Sequence, residues 1–297
     1  MNYLVSGGTG SLGKSLTARL LELGHSVTVY SRDEYKQRKM LADFPTVKYI
    51  VGDVRDRDRV IDSFSGIDIV VHAAAIKHVP VGEEMPEEAV KTNILGTMNV
   101  IAACKKNKVK KVVFVSTDKA CHPVNLYGAT KMCAEKLFVS ANQDSKTTFV
   151  CVRYGNVVGS RGSVIEYIMN EKPKELSVTD VRMTRFWISL SQAVDLVLLA
   201  VRKAKRGEII VPKAPSSNIL EMFKWLDPNI KIKPTGMRPG EKLHEFMVSK
   251  DESTHTKQLK NYFVIKPELF GVKYSSGFEY NSLNAPRLTK DEFLKLI

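Results

Sequence analysis

Short runs of β-branched and aromatic residues recur along the first half of the chain. Each is followed by a longer stretch whose apolar positions repeat every three or four residues. The short runs fall near residues 2–6, 26–31, 47–51, 68–72, 111–115 and 147–153 and read as strands. The longer stretches near 11–23, 34–42, 56–63, 86–107 and 127–142 read as helices. Runs such as Lys111-Val112-Val113-Phe114-Val115 lack the alternation of a half-exposed strand, so they predict strands covered on both faces. Strands alternating with helices in this way predict an α/β chain with a doubly wound parallel sheet and right-handed crossovers. After Tyr154 the alternation weakens, although a helix at 193–203 and a strand at 208–212 are expected to return to the main sheet. The expected division is therefore one unit from 1–153 plus 191–212, and a smaller, discontinuous C-terminal region from 154–190 plus 213–297.

Composition narrows this little. With 43% hydrophobic and 26% charged residues, the 297-residue chain is far from the range of disordered proteins. No apolar run approaches the roughly 20 residues of a membrane span, so no membrane association is expected. The chain enters a strand at Asn2, which predicts no signal peptide. Cys104, Cys121, Cys133 and Cys151 show no metal-ligand spacing, so no metal is expected and the thiols read as reduced, in a cytoplasmic protein. The net charge of +13 raises nucleic acid as a partner, but the lysines are dispersed and no nucleic-acid motif accompanies them. A field that attracts anionic small molecules accounts for the charge equally well.

The first strand runs into Gly7-Gly8-Thr9-Gly10-Ser11-Leu12-Gly13 and then a helix. Glycines at 7, 10 and 13 allow a tight turn and let a pyrophosphate approach the helix N-terminus, as in a Rossmann-type dinucleotide-binding unit. The second strand ends in Ser31-Arg32-Asp33, with Lys36 one turn further on. A hydroxyl and two cations where an acid would bind the ribose 2′-hydroxyl suit a 2′-phosphate and predict NADP. Asp33 remains an alternative ribose ligand. Asp53-Val54 follows the third strand; Asp53 lies near the adenine, caps the next helix, or does both. Ala73-Ala74-Ala75 lets the backbone pass close to the cofactor, and Lys77 and His78 lie where parallel sheets place their ligands. Asn93, inside a helical pattern that disfavours it, is a candidate contact to the active-site loops.

The chemistry concentrates in Ser116-Thr117-Asp118-Lys119-Ala120-Cys121-His122 and the helix that begins at Tyr127. Tyr127 and Lys131 are four apart and share a helix face. An ammonium beside the phenol lowers its pKa, so that Tyr127 takes a proton from a sugar hydroxyl while hydride leaves the same carbon.

With these motifs the chain resembles the extended short-chain dehydrogenases/reductases, and among them the inverting UDP-N-acetylglucosamine 4,6-dehydratases of flagellin-pseudaminic acid and capsule pathways. Asp118-Lys119 carries the resemblance, which extends through residues 73–80, 152–164 and 182–188 and through Arg238-Pro239-Gly240-Glu241-Lys242-Leu243-His244-Glu245. It implies oxidation at C4, loss of water across C5–C6 and hydride return to C6, with C5 inverted. Tyr127 would act at O4 with Lys131 and Thr117, Asp118 would be the C6 acid, and Lys119 the C5 base. The acid requires a raised pKa, hence burial, and the base a pKa lowered by desolvation and neighbouring cations. The resemblance also implies UDP-sugar contacts from Asn156, the Ser160-Arg161-Gly162-Ser163 turn, Arg185, Arg238 and Glu241, with Lys77 nearby, and a homo-oligomer, dimer or hexamer. Cys121, His122 and Glu166 depart from the family pattern, and the tail after about 253 carries no assigned role. A C5-retaining 4,6-dehydratase or a 5,6-dehydratase, and a non-catalytic NADP-binding sensor, share the same motifs.

Overall fold

The computed structural model describes residues 1–267 and 277–297. Six strands follow the predicted pattern: β1 (Asn2–Ser6), β2 (Ser26–Ser31), β3 (Lys48–Val51), β4 (Ile69–His72), β5 (Lys111–Val115) and β6 (Thr148–Val152). Together they form a parallel sheet in the order β3-β2-β1-β4-β5-β6. The winding order of the parallel strands reverses between β1 and β4, and this switch point leaves a crevice beyond the strand C-termini. The central strands are buried along their length, which is why their sequences are continuously apolar.

The returning elements are the helix Leu190–Lys203, opened by a Ser189–Gln192 capping box, and the strand Ile209–Pro212, which pairs parallel with β6. The sheet does not stop there. Tyr262–Ile265 pairs antiparallel with Ile209–Pro212, and Thr256–Gln258 pairs antiparallel with Tyr262–Ile265, so the sheet has nine strands among the described residues. Both strands fall within the 213–297 range expected for the substrate region. The boundary at 213 is corrected accordingly, because the hairpin satisfies hydrogen-bonding groups that Ile209–Pro212 would otherwise leave open at an edge.

The helix expected over 86–107 is segmented. A short helix Val79–Glu84 precedes Pro86–Val90, a π-helical turn covers Lys91–Leu95, and a regular helix resumes at Gly96–Lys106. Among the described residues no helix is long and apolar enough to cross a membrane.

A second core lies over the strand C-termini. Val158, Ile165, Leu176, Trp187, Phe223 and Phe293 belong to it, and Phe293 packs against Trp187 and Trp225. The C-terminal segment, without a role in sequence, thus supplies an anchor for this smaller unit. Arg153, just past β6, is fully buried. Its guanidinium bonds to Glu135 (3.0 and 2.6 Å), to Glu252 (2.9 and 2.7 Å) and to the Met247 carbonyl (2.9 Å), tying three segments together.

Candidate active site

One cavity of about 930 Å3 occupies the crevice between the main sheet and the second core. Along its floor lie Gly7, Thr9, Gly10, Ser11, Leu12 and Gly13. Gly7 has φ +70°, and a Cβ there would come within 2.8 Å of the Ala74 backbone, so both the turn and the close approach require glycine. The helix Ser11–Glu22 begins without a side-chain cap, leaving its first N–H groups directed at the cavity. Ala73, Ala74 and Ala75 form the adjoining wall.

Ser31, Arg32, Lys36, Asp53 and Val54 line the far end. Asp33 caps the helix Glu34–Asp43 through the Lys36 N–H and pairs with the Lys36 ammonium at 2.5 Å. Asp53 accepts from the Arg55 N–H and pairs with Arg55 at 2.7 Å and Arg32 at 3.6 Å. The helix Arg57–Ser63 is capped by Asp56, which corrects the capping role considered for Asp53. Both acids are therefore already compensated by cations, while the Arg32 side chain stays 56% exposed.

The reacting end is built by β5 and the helix Leu126–Ser140. Thr117 caps the 3-10 turn Asp118–Ala120, and the Asp118 N–H donates to the Tyr154 carbonyl at 3.0 Å. The Asn125 side chain caps the helix through the Gly128 N–H at 2.8 Å, which returns Tyr127 and Lys131 to the cavity. Thr117, Asp118, Lys119, Tyr127 and Lys131 thus line one wall.

Asp118 is buried, and burial raises its pKa despite Lys119 and the Thr117 hydroxyl. Its Oδ1 accepts from Thr117 Oγ1 at 3.0 Å and Lys119 Nζ at 3.1 Å, whereas Oδ2 has no partner. The Lys119 expectation is corrected. Burial alone would lower its pKa, but Asp118 and Glu245 outweigh burial and raise it, so the side chain rests as an ammonium.

Tyr127 also departs from expectation. The Lys131 ammonium donates to the Val115 carbonyl at 2.6 Å and lies 3.9 Å over the Phe114 ring instead of beside the phenol. Burial pulls Lys131 down to about 7 and pushes Tyr127 up to about 12, the latter opposed by Lys119 and the Thr117 hydroxyl. The cation that stabilises a phenolate here is Lys119.

Lys77 and Asn156 line the cavity, and Asn156 Oδ1 is buried without a partner. Arg185, Arg238 and Glu241 do not line it. Arg185 donates to the carbonyls of Thr184 and Leu243, and Arg238 pairs with Glu241 at 3.4 Å. Local acceptors next to these arginines hold them away from the cavity. Cys121 and His122 also turn away: the thiol bonds to Glu252 at 3.6 Å and the imidazole packs edge-on to Phe246.

Sequence reasoning missed two cavity hydroxyls and Glu245. Thr92 Oγ1 and Ser116 Oγ are buried, unpartnered and on the cavity wall. Arg161 closes the rim: its N–H donates to Ser11 Oγ at 3.1 Å, its guanidinium to the Thr9 carbonyl, and its carbonyl accepts from Lys77 Nζ at 3.1 Å. The Ser160-Arg161-Gly162-Ser163 turn was expected along the sugar nucleotide, and all four residues line the cavity. Glu245, buried behind Lys119, ends the Arg238-to-Glu245 stretch that carries the resemblance.

Glycine turn, uncapped helix start, alanine wall and unpartnered polar atoms fit an extended dinucleotide with a sugar nucleotide beside it. Residues 3–267 match the family described as polysaccharide biosynthesis protein. The chain is 49% identical over 292 residues to a UDP-N-acetylglucosamine 4,6-dehydratase (inverting) of Campylobacter jejuni, covering 95% of this chain and 87% of the relative. It is 39% identical to a UDP-glucose 4-epimerase of Rickettsia bellii over 99% of this chain and 94% of that one. The crystal structure of Pen from Bacillus thuringiensis superposes with a TM-score of 0.93 at 40% identity, covering 100% of this chain and 96% of that one. Residues, topology and cavity agree with these likenesses: the chain belongs to the polysaccharide biosynthesis protein family, within the extended short-chain dehydrogenases/reductases.

Proposed function

We propose that this protein is an NADP-dependent, inverting UDP-N-acetylglucosamine 4,6-dehydratase. The observation that carries the reading is a buried Asp118 with a free Oδ2, beside Lys119 and Tyr127 in a single cavity. A C4 epimerase needs neither an acid at C6 nor a base at C5, and this pair supplies both.

NADP fits the far end through Ser31, Arg32 and Lys36, since Asp33 and Asp53 are engaged by cations and offer little to a free ribose hydroxyl. The glycine loop and the helix start would hold the diphosphate, and Ala73–Ala75 would pack along the dinucleotide. When bound, the dinucleotide supplies a hydride acceptor for C4–H and a hydride donor for C6.

Tyr127 rests as a phenol and takes the O4 proton as C4 is oxidised only after its own proton has left to solvent, an ionisation helped by the nearby Lys119 charge and the Thr117 hydroxyl. The C4 carbonyl acidifies C5–H, and Lys119 exchanges that proton. Because Lys119 rests as an ammonium, it must first release its own proton, so turnover rises with pH on the acid side. Asp118 delivers its Oδ2 proton to the C6 hydroxyl, which leaves as water. Loss of that proton closes the alkaline side. Asn156 and Lys77, both on the cavity wall, would hold the sugar nucleotide.

Purified protein incubated with UDP-N-acetylglucosamine in D2O tests this. The expected product has lost water, carries deuterium at C5 and has the L configuration, and denaturation releases NADP rather than NAD. Lys119→Ala is expected to slow turnover by about a hundredfold or more. A D-configured product, epimerisation without water loss, or undiminished dehydration by Lys119→Ala would overturn the assignment.

A further inference from the structure

Glu245 is a buried carboxylate that none of these steps uses. It is 3% exposed and does not line the cavity. Its Oε1 is 3.2 Å from Lys119 Nζ and 3.9 Å from Arg185 Nε, and its Oε2 is 3.4 Å from Lys242 Nζ. Its backbone N–H donates to Ser282 Oγ at 2.9 Å, which fixes the residue behind the reacting wall. Of the three cations around it, only Lys119 reaches the cavity. Lys242 is turned to the Cys121 carbonyl at 2.8 Å, and Arg185 to the carbonyls of Thr184 and Leu243.

The Lys119 ammonium is thus flanked by two carboxylates, Asp118 on the cavity side and Glu245 behind. Two buried carboxylates sharing a cation compete for ionisation, and the one with fewer cationic neighbours keeps a proton more readily. Glu245 faces three cations and Asp118 one. Asp118 also accepts both of its hydrogen bonds at Oδ1, so no donor faces Oδ2 and a carboxyl proton there is unopposed. Thr117 and Tyr127 complete the groups facing this cluster from the cavity.

We propose that Glu245 is a positioning residue: as the fixed counter-ion of Lys119 it leaves Asp118 free to hold, at Oδ2, the proton given to the departing C6 hydroxyl. The assignment rests on the dehydratase reading above. The electrostatics run the same way. Burial alone would raise Glu245, but Lys119, Arg185 and Lys242 bring it down to about 2. Asp118 stays raised by burial, and the negative charge of Glu245 adds to that rise.

The test follows the Asp118 carboxyl by 13C NMR in the whole protein, assigned by its loss in Asp118→Asn, alongside kcat and KM for UDP-N-acetylglucosamine against pH. In Glu245→Gln the Asp118 titration and both limbs of the kcat profile should move to lower pH by about one unit, with KM within about twofold of wild type. Lys242→Met removes a cation beside Glu245 and should move them the other way. An Asp118 titration that stays in place in both variants, or a Glu245→Gln defect confined to KM, overturns the proposal. A wild type that does not dehydrate overturns the dehydratase reading instead, and the NMR titration still decides the role of Glu245.

Discussion

Asp118 depends on Gly155, a residue with no chemistry of its own. A Cβ at Gly155 would lie 2.6 Å from Phe186 Cβ and 3.1 Å from Asp118 Oδ2, so the glycine keeps open the space beside the acid's free oxygen. Gly155→Ala is expected to lower stability by about 1–3 kcal/mol and to reduce kcat more than it raises KM. A thermal melt and steady-state kinetics read both; wild-type values in each would contradict the packing argument. At this scale the sequence was informative where spacing fixes proximity. Tyr127 and Lys131 share a helix face, and both reach the cavity. It was uninformative where competing partners come from other elements. The Val115 carbonyl and the Phe114 ring of the preceding strand capture Lys131, and Asp118 together with Glu245, more than a hundred residues on, reverses the expected direction of the Lys119 pKa.

The segmented helix shows the same limit for a whole element. Within the π-helical turn Lys91–Leu95, Asn93 Oδ1 accepts from the Ile76 N–H at 2.8 Å, and Nδ2 donates to the Ile76 carbonyl at 3.0 Å and to Thr130 Oγ1 at 3.0 Å. One side chain thereby ties the loop after β4 to the helix that carries Tyr127. The widened turn accompanies this inward side chain, and π-turns are often found where such a residue is needed. Low helix propensity marked Asn93 as a candidate contact to the loop after β4, which it makes, but the break in the helix depends on a partner distant in sequence. Asn93→Ala removes three hydrogen bonds and leaves the half-buried Ile76 N–H and carbonyl without their partner. It should cost about 2–4 kcal/mol in urea unfolding, and a loss below about 0.5 kcal/mol would show that the brace is dispensable.

For the molecule as a whole, the Arg153 cluster joins the main sheet to the catalytic helix and the C-terminal segment. Burial would raise the Glu252 carboxyl, but Arg153 and the Ser249 N–H bring it from 4.5 down to about 2. A carboxylate depressed on folding stabilises the native state fully above its unfolded pKa, and that contribution is lost as pH falls through the folded value. Urea stability should therefore decline between about pH 4.5 and 2. Arg153→Met should remove that part of the decline and cost about 3–5 kcal/mol at neutral pH, because the buried Glu135 and the half-buried Glu252 lose their partner. An unchanged acid limb in the variant would assign the decline to other groups. The parallel sheet was legible because buried strands are written as continuous apolar runs. The hairpin at 256–265 was not, since its strands are only three and four residues long and take their place only from the edge they meet. The hairpin has a consequence for crowded solutions. The nine-stranded sheet ends in β3, four residues long with Lys48 exposed, and in Thr256–Gln258, three residues long with Lys257 exposed. Edges this short, each carrying a positive charge, give a second molecule little to extend, so sheet-to-sheet polymerisation is discouraged at both ends.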